Sequence, residues 1–328
     1  MHNNGQTRSS DMRLLDRLPD QSWKAVSDAA QADEVEGYLV DELAKALGLR
    51  ADSHWRGWLR PIFVPLVRGF ARQAAAFDQS VARYGFQHTA REWLKKWIPG
   101  LQVNGREQLP GNGPLIIAAN HPGTFDGLAI ASQVERQDLK IITAANPFFR
   151  ALPNTRKHFI YSTLDVHVRM ATLRNALRHL QNGGVLLIFP SGKLDPDPLY
   201  FQQAAVKALT RWSASLELLL RKVPQVSLVI AINSGFVAPE YLHNPLVRLR
   251  PDNVERQKLA EFIQVIQQVV FNRQIYHQPS ITFATPTYNL SQNTGSIHAQ
   301  VIASAAQLVD RICSGGIGQF PSGARQTT

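Results

Sequence analysis

The segment Asn120-His121-Pro122-Gly123-Thr124-Phe125-Asp126 sets a histidine and an aspartate on either side of four residues. An imidazole with a pKa near neutrality can take a proton from a hydroxyl nucleophile. A carboxylate five positions on can accept a hydrogen bond from the other ring nitrogen, which fixes the tautomer and stabilises the imidazolium. The same two side chains are also two metal ligands, but no third histidine lies at a supporting spacing, so no metal is expected. A second segment, Phe189-Pro190-Ser191-Gly192-Lys193-Leu194, follows an apolar run and offers a glycine turn whose backbone can approach a ligand closely. Ser191 lies in no nucleophile-elbow sequence, so a covalent serine intermediate is not expected. Between the two lies a basic set, Arg150, Arg156 and Lys157, that reads either as a phosphate contact or as a solvated charged loop. Lone Cys313 can form neither an internal disulfide nor a cysteine metal cluster, which fits a reducing compartment.

These groups need strands that end beside them. The apolar runs Pro114–Ala119, Leu139–Ala144, Phe159–Thr163, Val185–Phe189 and Val226–Ile232 are of strand length. Helical periodicity falls between them, over Asp126–Gln133, Asp165–Gln181 and Phe201–Arg211, and after them over Val254–Phe271, which has a polar face, and Ile297–Ile312. The alternation predicts an α/β fold, a layered mixed sheet flanked by helices, with the site at strand ends. Ahead of it, Glu34–Leu47 reads as a helix ending near Gly48. Leu66, Phe70, Ala74 and Phe77 form a helical stripe that Pro61 and Pro65 should either precede or bend. His88–Trp97 sets Trp93 and Trp97 one turn apart among Arg91, Lys95 and Lys96. Tryptophan beside lysine and arginine suits a bilayer headgroup zone, so the expectation is that part of this surface, with Trp55, Trp58, Arg56 and Arg60, meets a membrane; packing on the main domain is the plainer reading. The division expected is an N-terminal helical region over 1–100, an α/β domain with C-terminal helices over 101–313, and a flexible tail over 314–328.

The chain has 328 residues, 44% of them hydrophobic, so it is long and apolar enough for a large folded core. A formal charge of +10 favours anionic partners. Nucleic acid is not expected, because there is no long basic tract and no finger spacing. The first residues, MHNNGQTRSSDMR, hold no apolar core of a secretory signal, and no run of 18 apolar residues exists. One-sided contact with a membrane stays open.

Across roughly 101–250 the chain resembles the glycerolipid acyltransferases, which include glycerol-3-phosphate and lysophosphatidic acid acyltransferases. His121 and Asp126 match the family's first block. The region from Asn146-Pro147-Phe148-Phe149-Arg150 to His158-Phe159-Ile160-Tyr161 corresponds loosely to its second. Phe189, Pro190 and Gly192 match the third, usually Phe-Pro-Glu-Gly-Thr-Arg, and Val223-Pro224 leads into the fourth. This chain has Ser191 and Leu194 where the family has glutamate and arginine, which puts the usual phosphorylated acceptor in question. Lys193 stands one position before the missing arginine, and Asp195 and Asp197 add negative charge beyond it. The resemblance implies acyl transfer from acyl-CoA or acyl carrier protein to a glycerolipid hydroxyl, with no cofactor. His121 would be the base oriented by Asp126, and backbone N–H groups around Pro190–Lys193 would meet the oxyanion. Substrate contacts would come from Asn120, Gly123, Thr124, Arg150, Arg156, Lys157, Pro190, Ser191, Gly192 and Lys193. The implied setting is the cytoplasm, bound peripherally to the inner face of an anionic membrane.

Overall fold

The computed structural model describes residues 29–46, 55–292 and 295–315. In chain order the elements are α1 (Ala29–Ala46), α2 (Trp55–Tyr84), α3 (Phe86–Trp97), β1 (Gln102–Asn104), β2 (Leu115–Ala119), α4 (Asp126–Ala131), β3 (Leu139–Ala144), α5 (Pro147–Arg150) and β4 (Phe159–Ser162). They continue with α6 (Val166–Gln181), β5 (Val185–Ile188), α7 (Pro198–Leu209), α8 (Ser215–Lys222), β6 (Ser227–Ser234), α9 (Pro239–Leu242), α10 (Pro245–Arg248), α11 (Asn253–Val265), β7 (Ser280–Phe283) and α12 (Ile297–Cys313).

One seven-stranded sheet runs β1-β7-β6-β2-β5-β3-β4. β6, β2, β5, β3 and β4 are mutually parallel, and β7 turns antiparallel to β6. β2 and β5 are apolar throughout, and β6 is buried throughout with an apolar stretch over Leu228–Ile232, because helices cover both faces of the sheet. Alternation sorts their side chains. Leu115, Ile117 and Ala119 pack with Phe77, Phe86, Trp93, Trp97 and Ile130 on one face. Ile116 and Ala118 pack with Leu180, Leu209, Leu216 and Leu308 on the other. The expected α/β architecture with a mixed sheet and N-terminal helices is therefore present.

The helices before residue 100 close one face of that sheet. Trp93 and Trp97 are buried there, with ring centroids 5.3 Å apart, and Trp97 stacks on Phe125 at 5.1 Å. These two tryptophans thus serve the core rather than a bilayer, a correction to the sequence expectation. An apolar face flanked by lysine and arginine looks the same whether sheet or lipid covers it. The side chains of Trp55, Arg56, Trp58 and Arg60 lie outside the described residues, as do Gly48 and the tail from residue 316. Neither proline of α2 marks its start: the helix begins at Trp55 and passes through Pro61 and Pro65, which lie one turn apart and exposed, where water can reach the carbonyls they leave unpaired. α7 likewise starts before its expected position, because the Asp197 side chain caps it through Leu199 N–H, 2.9 Å.

Asp78 fastens α2 to the loop before β4. Its buried carboxylate accepts the N–H groups of Asn154 (3.1 Å) and Thr155 (2.7 Å) and the Asn154 amide (2.8 Å). Asp78→Ala leaves these donors without an acceptor and should cost roughly 3 kcal/mol in urea unfolding. A loss below about 1 kcal/mol would mean that this tie does not hold the helix in place.

Candidate active site

The site is built where β2, β5 and β6 end. Past their last ladder pair, Ala119↔Ala231, the chains of β2 and β6 stay joined through two carboxamides. Asn120 Nδ2 donates to Asn233 O (2.9 Å), Asn233 N–H donates to Asn120 Oδ1 (2.7 Å), and Asn233 Nδ2 donates to Asn120 O (2.9 Å). Asn120 is thus committed to the framework. The next residue, His121, is tied to the turn after β5. Its N–H donates to Asp195 Oδ2 (3.1 Å), and its carbonyl accepts Asp195 N–H (2.7 Å).

His121 Nδ1 lies 3.0 and 2.9 Å from the two Asp126 oxygens. With the proton on Nδ1, the ring donates to Asp126 and leaves Nε2 as the base. Asp126 has no solvent exposure, whereas the His121 side chain keeps 33%. The second partner of Asp126 is Gly123 N–H, at 3.1 Å. A side chain at Gly123 would be crowded: a Cβ there would stand 3.0 Å from Glu261 Oε1 and 3.2 Å from Phe236 Cβ. The imidazole lies on Phe189, ring centroids 4.6 Å apart. Burial alone would lower the His121 pKa. The Asp126 carboxylate outweighs it by charge and hydrogen bond, Glu261 and Asp195 add to the pull, and the pKa rises from 6.5 to about 9.

The turn after β5 holds Ser191 Oγ 2.9 Å from both Lys193 O and Asp195 Oδ2, one of which takes its single proton at a time. Gly192 adopts φ 62° and donates its N–H to Phe189 O at 3.0 Å. Pro190 has no N–H, so this turn offers only those of Ser191 and Lys193 to a substrate oxygen; the latter has one long contact, 3.4 Å, to Ser191 Oγ. Lys193 is exposed. The negative charges beyond it are turned inward. Asp195 also accepts from Arg211 (3.2 Å), and Asp197 accepts Gly235 N–H (2.9 Å) and Phe236 N–H (3.1 Å). Burial lifts the Asp197 pKa to about 6 against those N–H bonds.

The structure brings Asn120, His121, Gly123, Thr124, Asp126 and the Pro190–Lys193 turn to one edge. Of the basic set, Arg150 stands just past β3, which ends at the same sheet edge as β2. Arg150 lies over the Tyr161 ring (5.8 Å), Arg156 Nη1 donates to Arg150 O (3.4 Å), and Lys157 precedes β4, where its carbonyl accepts from Lys140. β4 is the third strand from β2, about 14 Å across the sheet. Lys157 also lies at the opposite end of the strands from His121. Sequence reasoning missed the framework roles of Asn233, Asp195 and Asp197, which arise from contacts between distant strand ends.

Residues 100–228 match the family model described as Acyltransferase. That segment is similar to the acyltransferase family. It holds the His121–Asp126 pair and the Phe189–Lys193 turn, and it ends within β6. Uncharacterized proteins of Mycobacterium tuberculosis (strain ATCC 25618 / H37Rv) and Mycobacterium leprae (strain TN) are 28% and 30% identical to the chain over 149 residues, 39% of this chain. The match spans only 38% of the length of each. The solved 1-acyl-sn-glycerophosphate (LPA) acyltransferase PlsC of Thermotoga maritima is 15% identical with TM-score 0.45, covering 96% of this chain and 100% of that one.

NMR titration of the His121 ring should give a midpoint near pH 9. Asp126→Asn should bring it down by more than about one pH unit, because burial then meets only the weaker pull of Glu261 and Asp195. A folded pKa above the unfolded one means that the pair's contribution to stability is full below about pH 6.5 and lost as pH rises through about 9. An unchanged midpoint in Asp126→Asn would contradict this.

Proposed function

We propose that the protein transfers a fatty acyl group from acyl-CoA or acyl carrier protein to a hydroxyl of glycerol 3-phosphate or a lysophospholipid. The observation that carries this reading is the buried carboxylate of Asp126 on His121 Nδ1, in a segment similar to the acyltransferase family. Nε2 takes the proton of the acceptor hydroxyl as its oxygen attacks the thioester carbonyl. The carbonyl π electrons move to oxygen, where N–H groups of the Ser191–Lys193 turn can meet them. On collapse the C–S bond breaks, and the departing thiolate takes the proton from Nε2. Base and acid are the same ring, which Asp126 holds in place throughout.

A second reading changes the acceptor to a non-phosphorylated lipid alcohol. Ser191 and Leu194 replace the charged residues of the family pattern, the Arg211 guanidinium is engaged by Asp195, and Arg150, Arg156 and Lys157 gather around β4. Lys193, exposed in the turn after β5, is then a cation that a phosphate could meet. A non-catalytic acyl-thioester-binding protein would have no need of the dyad.

The setting we propose is peripheral, on the cytoplasmic face of an anionic membrane. Among the described residues no helix is long and apolar enough to cross a bilayer. The corner between β4 and α6 presents Leu164, 95% exposed, with Val166 and Met170 also exposed. Arg150 and Arg156 stand beside it around Tyr161, whose phenol pKa burial raises and their charges oppose. Exposed aliphatics with a basic flank suit a lipid headgroup boundary.

The test is thiol release and lipid product from long-chain acyl-CoA or acyl carrier protein thioester, with glycerol 3-phosphate, lysophosphatidic acid and lipid alcohols as acceptors. Product is expected with one acceptor class, and His121→Ala should lower kcat by about 10³-fold. Thiol release without any acceptor would make the protein a hydrolase. A fully active His121→Ala would end the mechanism.

A further inference from the structure

α11 lies beyond the segment that matches the acyltransferase family. Its polar face is turned into the protein. Gln257, Glu261, Gln264 and Gln268 recur at intervals of four, three and four residues, and all four are buried. Such spacing makes one stripe along a helix, here continued by the π-helical turn Ile266–Val270.

Each member bonds to backbone rather than to water. Gln257 Nε2 donates to Pro122 O (2.7 Å) and Asp195 O (2.9 Å), and its Oε1 accepts Asp197 N–H (2.8 Å). Gln264 joins Phe236 O (2.9 Å) and Ala238 N–H (2.7 Å). Gln268 donates to Trp97 O (2.8 Å), and Trp97 stacks on Phe125. Glu261 Oε1 accepts the N–H of Thr124, inside the turn between His121 and Asp126. The stripe therefore grips the loops after β2, β5 and β6 at once.

We infer that Glu261, the charged member of this stripe, is a positioning residue of the dyad: it fixes the turn between His121 and Asp126 and supplies a second negative charge toward the imidazole. Three observations converge on this role. The carboxylate is buried although a glutamine would satisfy the same N–H. Gly123 has no side chain, which leaves room for Glu261 Oε1. The charged groups that face Glu261 are His121 and Asp126. The neighbours of α11 in α1 and α9 meet it through Leu259, Ala260 and Phe262, on other faces. Burial raises the Glu261 pKa to about 7 against the Thr124 bonds, with Asp126 adding to the rise and His121 opposing it.

Glu261→Gln keeps the shape and an acceptor oxygen but removes the charge. It should leave thermal stability close to wild type and move the NMR midpoint of His121 down by about 0.5–1 pH unit. Glu261→Ala also frees the turn, and should lower kcat for acyl transfer about tenfold or more with KM for the thioester nearly unchanged. The kinetic arm rests on the acyl-transfer reading. The spectroscopic arm does not, so a protein that transfers no acyl group would still report on Glu261. A His121 midpoint unmoved in Glu261→Gln would overturn the electrostatic role. A Glu261→Ala protein that is less stable yet turns over at the wild-type rate would reduce the residue to a structural tie.

Discussion

A carboxylate wholly removed from water stays charged only if its oxygens are engaged, and Asp126 has no exposure at all. Its partners are His121 Nδ1 and Gly123 N–H, both within the five preceding residues. The turn must therefore fold back on its own aspartate, and the rest of the edge holds it in that shape. Asn120 and Asn233 extend the union of β2 and β6 past the ladder. Asp195 locks His121 to the turn after β5, and Asp197 joins that turn to the loop after β6. Strand ends inside a protein leave backbone donors and acceptors without a ladder, so side-chain amides and carboxylates must complete them.

Local charge and overall charge have opposite signs. The chain carries +10, yet the imidazole is surrounded by Asp126, Asp195 and Glu261. At short range and low dielectric these carboxylates outweigh distant lysines and arginines, and the result is a strongly basic histidine. Arg211 is bound to Asp195, and Arg150 and Arg156 stand around Tyr161 on the outermost strand. A cationic exterior can attract anionic donors or headgroups from a distance, while the proposed proton transfer would take place among acids.

The central strands were legible because full burial demands unbroken apolar runs, as in Leu115–Ala119 and Val185–Ile188. The dyad was legible because its two members are close in sequence. Trp93 and Trp97 were read toward a bilayer because sheet and lipid ask for the same apolar helix face. Lys157 was grouped with the site because sequence order does not reveal that it precedes β4, at the opposite end of the strands from His121. The polar face of α11 was visible, but its inward direction was not. A glutamine bonding to buried backbone and one facing solvent are identical as letters, and only the loops they meet tell them apart.

The central claim is that acyl transfer depends on a histidine made basic by buried carboxylates. The measurement that tests it most directly is the pH dependence of kcat/KM for acyl transfer from a thioester to a lipid hydroxyl. The account predicts a rate that climbs about tenfold per pH unit and levels near pH 9, where free His121 loses its proton. A rate already level at pH 7 would show that the base is not a histidine raised in this way.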